Sequence, residues 1–368
     1  MIRVTLTNEI LKRIAAIDEY RFSVKTIELP QITMNRLRKN SKKKSSYASN
    51  KIEGNPLTEA QANEAMERDD HKHFLKPEQE VRNYYLALNL LEEKLKTKVP
   101  FSKQLILEVQ ALVEKGASKE KIGLRGPTPP GVLFAVYDSQ TGAPDYIPPE
   151  YKDIPELLDE LVNYVNTTDD HPLIIAAVVH YQLVTIHPFE DGNGRTARLM
   201  SGYVLDYSGY GFNGIGSLEE YFAYDPDEYY ASLQMGLPAL YYSGRENPPH
   251  PEIWVNYFLR MMELYSKKVY ELSQSSRQEE VDGSLSYLNA KERALLVFLL
   301  EKHMLEFTPV DVGRMLGVTN KTIINRCVKL TSTGFLVPNI VKERIRTYSL
   351  SAFAQKYAKD ILAKLSDM

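Results

Sequence analysis

The amino-acid sequence of 368 residues predicts a mainly α-helical protein with a small β-hairpin flap and a C-terminal winged-helix domain. Upstream of residue 273, apolar residues recur three and four positions apart, which is the period of an amphipathic helix. Between residues 123 and 149 this period gives way to two short runs with strand character. From Leu288 onward, three short helical segments precede two further strand-like runs. The length itself predicts more than one domain.

The helices upstream of residue 273 are predicted from their apolar stripes and from the residues at their ends. Stripes run through residues 81–95, 154–165 and 258–269. Four residues typical of helix ends flank the predicted helices, namely Pro77, Ser102, Gly116 and Pro172. A helix from Pro172 is expected to end near Ile186. We therefore expect an N-terminal helical region over residues 1–100 and a helical core over residues 101–272.

A β-hairpin is predicted inside this core, within residues 123–149. Strand character is found at Val132–Tyr137 and at Asp145–Ile147, with a turn-like stretch between them. So small a hairpin buries little core of its own, so a flap over a site is the natural interpretation.

A charge asymmetry separates the last quarter of the chain from the rest. Residues 281–368 contain 13 Lys and Arg against 8 Asp and Glu, although the whole chain has a net charge of −3. Just before this basic part, residues 273–284 are polar and end in Asp-Gly-Ser. We therefore predict an exposed linker at 273–287, followed by the winged-helix domain at 288–368.

The composition excludes several classes of protein. With 43% hydrophobic and 25% charged residues, the chain is neither disordered nor coiled-coil throughout. Its longest uncharged apolar stretch, residues 173–186, is shorter than a membrane span requires. A lone cysteine, Cys327, forms no intramolecular disulfide and builds no cysteine metal site. Because no secretory signal is recognisable at residues 1–8, we expect a cytoplasmic protein without membrane contact.

Residues 187–198, with the sequence HPFEDGNGRTAR, carry the predicted chemistry. Two glycines at the start of a helix let backbone N–H groups approach an anion closely, and the helix dipole favours negative charge there. Arg195 and Arg198 are three residues apart, which predicts that they lie on the same side of this helix. Asp191 is a hard oxygen ligand suited to Mg²⁺ on phosphate oxygens, and His187 can accept a proton near neutral pH. The segment therefore predicts a nucleotide polyphosphate site.

The pattern H-x-F-x-D-G-N-G-R-x-x-R resembles the signature of the Fic family, and the likeness extends over much of residues 40–235. The resemblance implies transfer of AMP from ATP to a Tyr, Thr or Ser hydroxyl of a protein, with release of pyrophosphate. It implies that His187 is the general base, that Asp191 binds Mg²⁺, and that Arg195 and Arg198 bind the β- and γ-phosphates. The implied anion hole consists of Gly192, Asn193 and Gly194.

Residues 49–54, Ser-Asn-Lys-Ile-Glu-Gly, resemble the inhibitory-helix motif of Fic proteins that carry inhibitor and enzyme in one chain. The resemblance implies an inhibitory helix near residues 41–54 that contains Ser49, Glu53 and Gly54. It implies that Glu53 pairs with Arg198, which keeps that arginine from the γ-phosphate. An arginine committed to a carboxylate cannot also clamp a phosphate through two hydrogen bonds.

Two further assignments follow from the same resemblance. In the family, the flap presents the target protein as an extended strand, which makes Val136 and Tyr137 candidate docking residues. The pair Tyr229 and Tyr230 resembles the stretch that lines the nucleotide pocket, although a tyrosine pair on a helix is also typical of core packing.

The C-terminal domain resembles a winged helix-turn-helix, a module that accompanies Fic domains. Its second helix is expected at residues 320–330, after a turn at Gly317 and a cap at Thr319. The side chains expected in a DNA major groove are Asn320, Lys321, Thr322, Asn325 and Arg326 on this helix, with Lys342, Arg344 and Arg346 on the wing. Such modules bind DNA or dock proteins, and both partners stay open, as does a homodimer.

The sequence leaves three functions open. The first is an autoinhibited protein adenylyltransferase that uses ATP and Mg²⁺. The second is the reverse reaction, in which the same site removes AMP from a modified protein and Glu53 orients water. The third is a DNA-binding regulator whose nucleotide pocket acts as a sensor.

Overall fold

The computed structural model describes residues 2–27, 29, 31–68, 73–117, 122–129, 131–132, 134–137, 144–235, 237, 248, 250–341 and 344–366. Within these ranges the protein is mainly helical, which confirms the predicted fold class. The chain divides into two compact units, residues 1–271 and 272–368. Among the described helices, none is long and apolar enough to cross a membrane.

The first unit is built from helices, with a two-stranded hairpin between the fifth and sixth. The elements before the hairpin are α1 (Asn8–Thr26), α2 (Gln31–Ile52), α3 (Glu59–Glu67), α4 (Lys76–Lys96) and α5 (Lys103–Val113). The hairpin pairs β1 (Val136–Tyr137) with β2 (Pro144–Tyr146). The elements after it are α6 (Ile154–Thr167), α7 (Pro172–Ile186), α8 (Asn193–Tyr207), a 3₁₀ turn (Phe212–Gly214), α9 (Glu219–Phe222), α10 (Pro226–Gln234) and α11 (Pro251–Ser286).

Helix α7 forms the centre of the first unit. It contains no Asp, Glu, Lys or Arg, and nearly all its side chains are buried. Such an all-round apolar helix has to be enclosed by other helices. Helix α8 packs closely against it, and Ser201 of α8 donates a hydrogen bond to the Ala176 carbonyl at 2.8 Å. The predicted helix from Pro172 to Ile186 has these same bounds.

The predicted boundary at residue 100 does not separate two bodies. Residues 1–100 belong to the same compact unit as the core, up to Glu271. Helices α2 and α4 both pack against α8, so the N-terminal helices complete the core around the motif helix. Sequence periodicity misses this, because it reveals which face of a helix is apolar but not which helix covers it.

The second unit has its own apolar core, which includes Leu299, Val312, Ile323 and Phe335. Its elements after α11 are α12 (Ala290–Glu301), β3 (Glu306–Phe307), α13 (Pro309–Leu316), α14 (Asn320–Ser332), β4 (Leu336–Val341), β5 (Arg344–Leu350), α15 (Ala352–Lys356) and α16 (Ala358–Ser366). The three strands form an antiparallel sheet in the order β3-β5-β4. Among the wing residues named above, Lys342 lies outside the described residues, whereas Arg346 is exposed on β5.

The predicted linker at 273–287 is wrong. Helix α11 runs without interruption from Pro251 to Ser286, and the second unit begins at Leu272, inside it. Val281 and Leu285 of this segment are buried in the core of the second unit. The stretch looks like a linker because its many serines, Asp282 and Gly283 are poor helix formers, but burial of its few apolar side chains outweighs that propensity.

The predicted flap strand at 132–137 is shorter in the structure, where β1 has two residues. Gly131 has a φ of +80°, a left-handed conformation that interrupts extended backbone just before this strand. The predicted turn residues 138–143 lie outside the described residues.

Candidate active site

The site begins where α7 ends, at His187. This residue has a φ of +48°, the left-handed conformation that commonly closes a helix, and its N–H donates to the Leu183 carbonyl at 3.1 Å. The chain then turns through residues 188–192 into α8. The reversal leads within a few residues from His187 to the first turn of α8, where the predicted phosphate cradle lies.

Asn193 holds this loop in shape. Its side chain accepts a hydrogen bond from the Phe189 N–H at 3.0 Å and donates one to the Phe189 carbonyl at 2.9 Å. The amide group is therefore fully used inside the loop. The first intrahelical bond of α8 runs from the Thr196 N–H to the Gly192 carbonyl, so the N–H groups of residues 193–195 have no acceptor within the helix. These N–H groups, and not the Asn193 side chain, are therefore the donors available to an anion.

The two glycines of the motif are required by close contacts. Gly192 has a φ of +79°, and a Cβ there would lie 2.6 Å from Oε1 of Glu114. A Cβ on Gly194 would lie 2.3 Å from Oε1 of Glu53. A side chain at either position would have to displace the carboxylate that faces it, and at Gly192 the left-handed φ also favours glycine.

Arg198 is buried and fully engaged by helix α2. Its Nη2 lies 2.6 Å from Oε1 of Glu53 and donates to the Ser49 carbonyl at 3.0 Å, while its Nε donates to Ser49 Oγ at 2.8 Å. Burial opposes the charge of Arg198, but the Glu53 carboxylate and neighbouring tyrosines raise the pKa of the guanidinium above its ordinary value. Gly54 follows α2 with a φ of +78°. Helix α2 begins at Gln31, about three helical turns before the predicted start near residue 41.

Arg195 points into a cluster of carboxylates that the sequence did not reveal. Its Nη2 lies 2.9 Å from Glu114 and 3.1 Å from Asp191, and its Nη1 lies 3.8 Å from Glu80. Arg195 therefore differs from the expected free phosphate ligand, because its guanidinium neutralises buried acids below the loop. Burial raises the pKa of Glu114 to about 7, against the opposing effect of the Arg195 charge.

Asp191 fits the predicted role of a Mg²⁺ ligand. Its Oδ1 accepts the Gly192 N–H at 2.7 Å and Arg195 at 3.1 Å, and its side chain remains 40% exposed beside the N-terminus of α8. Mg²⁺ is usually held by one or two carboxylates together with phosphate oxygens and water. One accessible carboxylate next to an anion cradle is such a donor set. Among the described residues, no group of three or more potential metal ligands is present.

His187 is held in the neutral form by its surroundings. Burial lowers the pKa of its imidazole to about 4, and the nearby charge of Arg125 acts in the same direction, while a hydrogen bond to the Val184 backbone opposes both. The Phe134 ring centroid lies 6.1 Å from the imidazole centroid. A neutral imidazole at the edge of the anion cradle can accept a proton from a hydroxyl group.

Arg125 fastens the start of the flap to the motif loop. Its Nε donates to the His187 carbonyl at 2.8 Å, and its backbone N–H donates to the Pro188 carbonyl at 2.9 Å. Leu124 forms a β-bridge with Phe189. Gln110 adds a second tie, because it accepts the Gly123 N–H and donates to the Asp191 carbonyl. The flap strand beyond these ties exposes Tyr137 and leaves Val136 half-buried.

The two tyrosines predicted to line the nucleotide pocket differ in their exposure to solvent. Tyr229 is buried in an aromatic cluster around Trp254, and its hydroxyl lies 2.8 Å from His180 and 3.4 Å from Arg198. Its position on α10 faces the core, so its assignment to the pocket wall stays a prediction. Tyr230 is 43% exposed and donates to the Ile52 carbonyl at the end of α2.

Sequence reasoning missed Glu80, Gln110, Glu114, Arg125 and His180. Glu80, Gln110, Glu114 and Arg125 stand in ordinary helical or loop sequence far before the motif, and His180 lies in the apolar helix α7 just before it. Only Glu114 has a local signal in the sequence. It directly follows an apolar helical run that ends at Val113, and an acid in that place can be a buried carboxylate.

A histidine loop that leads into a glycine-rich helix N-terminus, with a β-hairpin tied to it, defines a Fic-type domain. Residues 100–205 match the family model described as the Fic/DOC family. Over these residues the chain is therefore similar to the Fic/DOC family.

Curated relatives carry the same domain. The chain is 30% identical over 211 residues to protein adenylyltransferase Fic of Drosophila mojavensis and 29% identical over 211 residues to that of Drosophila grimshawi. Each alignment covers 54% of this chain, and 38% and 40% of the respective relative. The chain thus spans about two fifths of the length of these relatives.

Two solved structures share the fold. A Fic family protein from Desulfovibrio desulfuricans superposes with a TM-score of 0.60 at 19% identity, over 96% of this chain and 98% of that chain. Fic-1 from C. elegans superposes with a TM-score of 0.55 at 24% identity, over 73% of this chain and 72% of that chain. At these identities the likeness concerns the fold.

Proposed function

We propose that this protein is an adenylyltransferase that moves AMP from ATP to a Tyr, Thr or Ser hydroxyl of a protein, and that Glu53 holds the reaction back. The observation that carries the proposal is the juxtaposition of His187, Asp191 and the free N–H groups at the start of α8. The names of the curated relatives support the same activity.

The proposed reaction requires little covalent chemistry from the protein. The target hydroxyl oxygen attacks the α-phosphorus of ATP, the bond from that phosphorus to the bridging oxygen breaks, and pyrophosphate leaves. His187 takes the hydroxyl proton, since its imidazole is neutral. The N–H groups of residues 193–195 stabilise the phosphate charge, and Asp191 would hold Mg²⁺, which neutralises charge on phosphate oxygens.

Autoinhibition is proposed from the state of Arg198. This residue is 1% exposed, and Glu53 and Ser49 take up its donors on the side of α2. A triphosphate needs the same donors, so the Glu53 carboxylate competes with the γ-phosphate for the guanidinium. Because Glu53 also lies against Gly194, it adds a negative charge directly beside the anion cradle. Loss of Glu53 should free both the arginine and the cradle.

Incubation with α-labelled ATP and Mg²⁺ tests the proposal. We expect Glu53→Gly to label itself or added proteins at least about tenfold faster than the wild type, because one charge-assisted hydrogen bond is worth roughly 1.5–3 kcal/mol. We expect the double variant Glu53→Gly with His187→Ala to give no label. Equal labelling by the wild type and Glu53→Gly at saturating ATP would exclude autoinhibition.

The same assay separates the two other functions. Release of AMP from a labelled protein by the wild type, lost in Glu53→Gly, would establish the reverse reaction with Glu53 orienting water. Nucleotide binding without turnover in any variant would establish a sensor.

For the C-terminal module we propose a docking role for another protein in preference to DNA. The exposed side of α14 carries Lys321 and Asn325 but also Ile324 and Val328, which are 38% and 56% exposed. Apolar side chains exposed in the middle of this helix favour a protein surface over phosphate contacts. We expect no salt-dependent shift on random duplex DNA at about 50 mM salt, whereas binding that weakens steeply with salt would favour DNA.

A further inference from the structure

Arg125 is a buried arginine that lies between the motif loop and the flap. On the loop side, its Nε donates to the His187 carbonyl at 2.8 Å, and its backbone N–H donates to the Pro188 carbonyl at 2.9 Å. On the flap side, its Nη2 donates to the Pro149 carbonyl, and its guanidinium carbon lies 4.5 Å from the centroid of the Phe134 ring. One residue therefore contacts the loop and the chain at both ends of the hairpin.

The two contacts on the flap side lie just outside the paired strands. Phe134 lies two residues before β1, and Pro149 lies three residues after β2. Strand β1 consists of Val136 and Tyr137, the candidate docking residues. A two-stranded hairpin has little stability of its own, so contacts at its ends set its position over the site. The guanidinium of Arg125 therefore helps to set where a docked target lies.

The contact on the loop side fixes the backbone of His187. Its φ of +48° is a conformation that residues with a side chain rarely adopt, so the surroundings have to hold it. Its N–H donates to the Leu183 carbonyl at 3.1 Å, and its carbonyl accepts the hydrogen bond from Arg125. Both backbone groups of His187 are thus bonded. Because the imidazole is attached to this backbone, loss of the Arg125 bond should let it move.

We propose that Arg125 is a positioning residue that couples the flap to His187, so that a hydroxyl presented by a target on the flap meets the imidazole at the distance proton transfer requires. A planar guanidinium holds its N–H donors in fixed directions, so the acceptors bound to it keep a fixed separation. This role rests on the proposed function, because it belongs to the same transfer reaction.

The charge of Arg125 has a second effect on the imidazole. Burial is the largest cause of the lowered pKa of His187, and the Arg125 charge lowers this pKa further. The charges of Glu53 and Asp191 and a hydrogen bond to the Val184 backbone act in the opposite direction. Removal of the Arg125 charge should therefore raise the pKa of His187. This change can be measured without any transfer reaction.

Two substitutions separate the geometry of the guanidinium from its charge. Arg125→Lys keeps the charge, but a single ammonium group cannot bind the two carbonyls in the same geometry. Arg125→Met removes the charge and the donors and keeps an unbranched side chain. The matched control is Arg82→Met. Arg82 is likewise buried, donates to two backbone carbonyls and lies 4.7 Å from the Phe74 ring centroid, but it belongs to α4.

Self-labelling with α-labelled ATP and Mg²⁺ in the Glu53→Gly background measures the effect. We expect Arg125→Lys and Arg125→Met each to lower kcat by about 10- to 100-fold and to leave the KM for ATP within about twofold. Arg125 bonds to carbonyls of the loop, whereas the proposed cradle uses the N–H groups of residues 193–195. A disordered loop would raise the KM for ATP as well. An unchanged kcat in Arg125→Lys, or an equal loss in Arg82→Met, would overturn the positioning role.

An NMR titration of the histidine Cε1–H signals gives a result that does not depend on transfer. With Glu53 intact, Arg125→Met should move the His187 midpoint to higher pH, and Arg125→Lys should move it less because the charge is kept. An unchanged midpoint in Arg125→Met would overturn the proposal. Absence of labelling in Glu53→Gly itself would instead refute the proposed function, and the titration would still show whether Arg125 acts on His187.

Discussion

Glu114 shows how a single buried acid supports the motif loop. Its side chain is 3% exposed, lies against Gly192 and neutralises Arg195 from below. Neither of its oxygens forms a hydrogen bond of good geometry with a described residue. Because a carboxylate without hydrogen bonds is costly to ionise inside a protein, its charge is maintained mainly by Arg195.

We predict that Glu114 makes stability depend on pH. Burial raises the pKa of Glu114 to about 7 in the folded protein, so the folded state binds more protons than the unfolded state between the ordinary glutamate pKa and pH 7. Stability therefore falls as pH rises through this window. Glu114→Gln should remove that loss, which amounts to about 3 kcal/mol.

Urea unfolding of the wild type and Glu114→Gln at about pH 5 and pH 8 measures this. The matched control is Glu108→Gln, which changes the acid within α5, a partly exposed residue that pairs with Lys94. A wild type that loses no stability relative to Glu114→Gln between the two pH values would contradict the prediction.

A second prediction at the residue scale concerns the proton acceptor. Burial lowers the pKa of His187 to about 4, so the imidazole should stay neutral through the physiological range and gain its proton only in acid. An NMR titration of the histidine Cε1–H signals checks this, with His187→Ala providing the assignment. A midpoint near the ordinary histidine pKa would show that the side chain is hydrated in solution.

At the scale of elements, the long helix α11 is the clearest departure from sequence expectation. Polar residues and a Gly at position 283 predicted a linker, and the structure has a helix up to Ser286. Local propensity disfavours the helix here, so packing of Val281 and Leu285 has to supply the stabilisation.

We predict that Gly283→Ala stabilises the protein by about 0.5–1 kcal/mol, because alanine is the better helix former and the position is open. Gly283→Pro should destabilise by about 3 kcal/mol or more, since it removes a helical hydrogen bond. Urea unfolding followed by circular dichroism measures both. A linker would respond little to alanine and would accept proline.

Other helices were predicted from the sequence with nearly correct bounds. Helices α7 and α14 begin at Pro172 and Asn320, as predicted, because proline in the first turn and a threonine cap are local signals. Helices α1 and α3 were not predicted, although Thr7 and Thr58 cap them, because their apolar stripes are weak. The hairpin was predicted in place but too long, since strand propensity depends on neighbouring strands.

At the scale of the whole molecule, the two compact units have separate cores. The chain's only tryptophan, Trp254, lies buried in the first unit and donates to the Ala177 carbonyl at 2.8 Å. Its fluorescence therefore reports unfolding of the first unit, whereas circular dichroism reports both. Chains of this kind are not expected to unfold in one two-state transition.

We predict that Leu299→Ala destabilises the second unit alone. Leu299 is fully buried in that unit's core, so truncation should cost about 2–5 kcal/mol. The dichroism transition should shift to lower denaturant while the Trp254 transition stays in place. Equal shifts in both signals would mean that the units unfold together.

The sequence by itself determined the resemblance to the Fic family, the helical class and the identity of the motif residues. These are local properties, because the glycines, the acid and the base all lie within residues 187–198, a segment as long as about three helical turns. It also placed Glu53 and Arg198 as partners, through family resemblance.

Only the tertiary structure decided what surrounds these residues. The positions of Glu114 under the loop and Arg125 across it depend on segments far apart in the sequence. The burial of Tyr229 was likewise decided by the tertiary structure, because this residue lies on the face of α10 that packs into the core. Burial and charge environment arise from packing between elements, and a linear pattern contains no record of which elements meet.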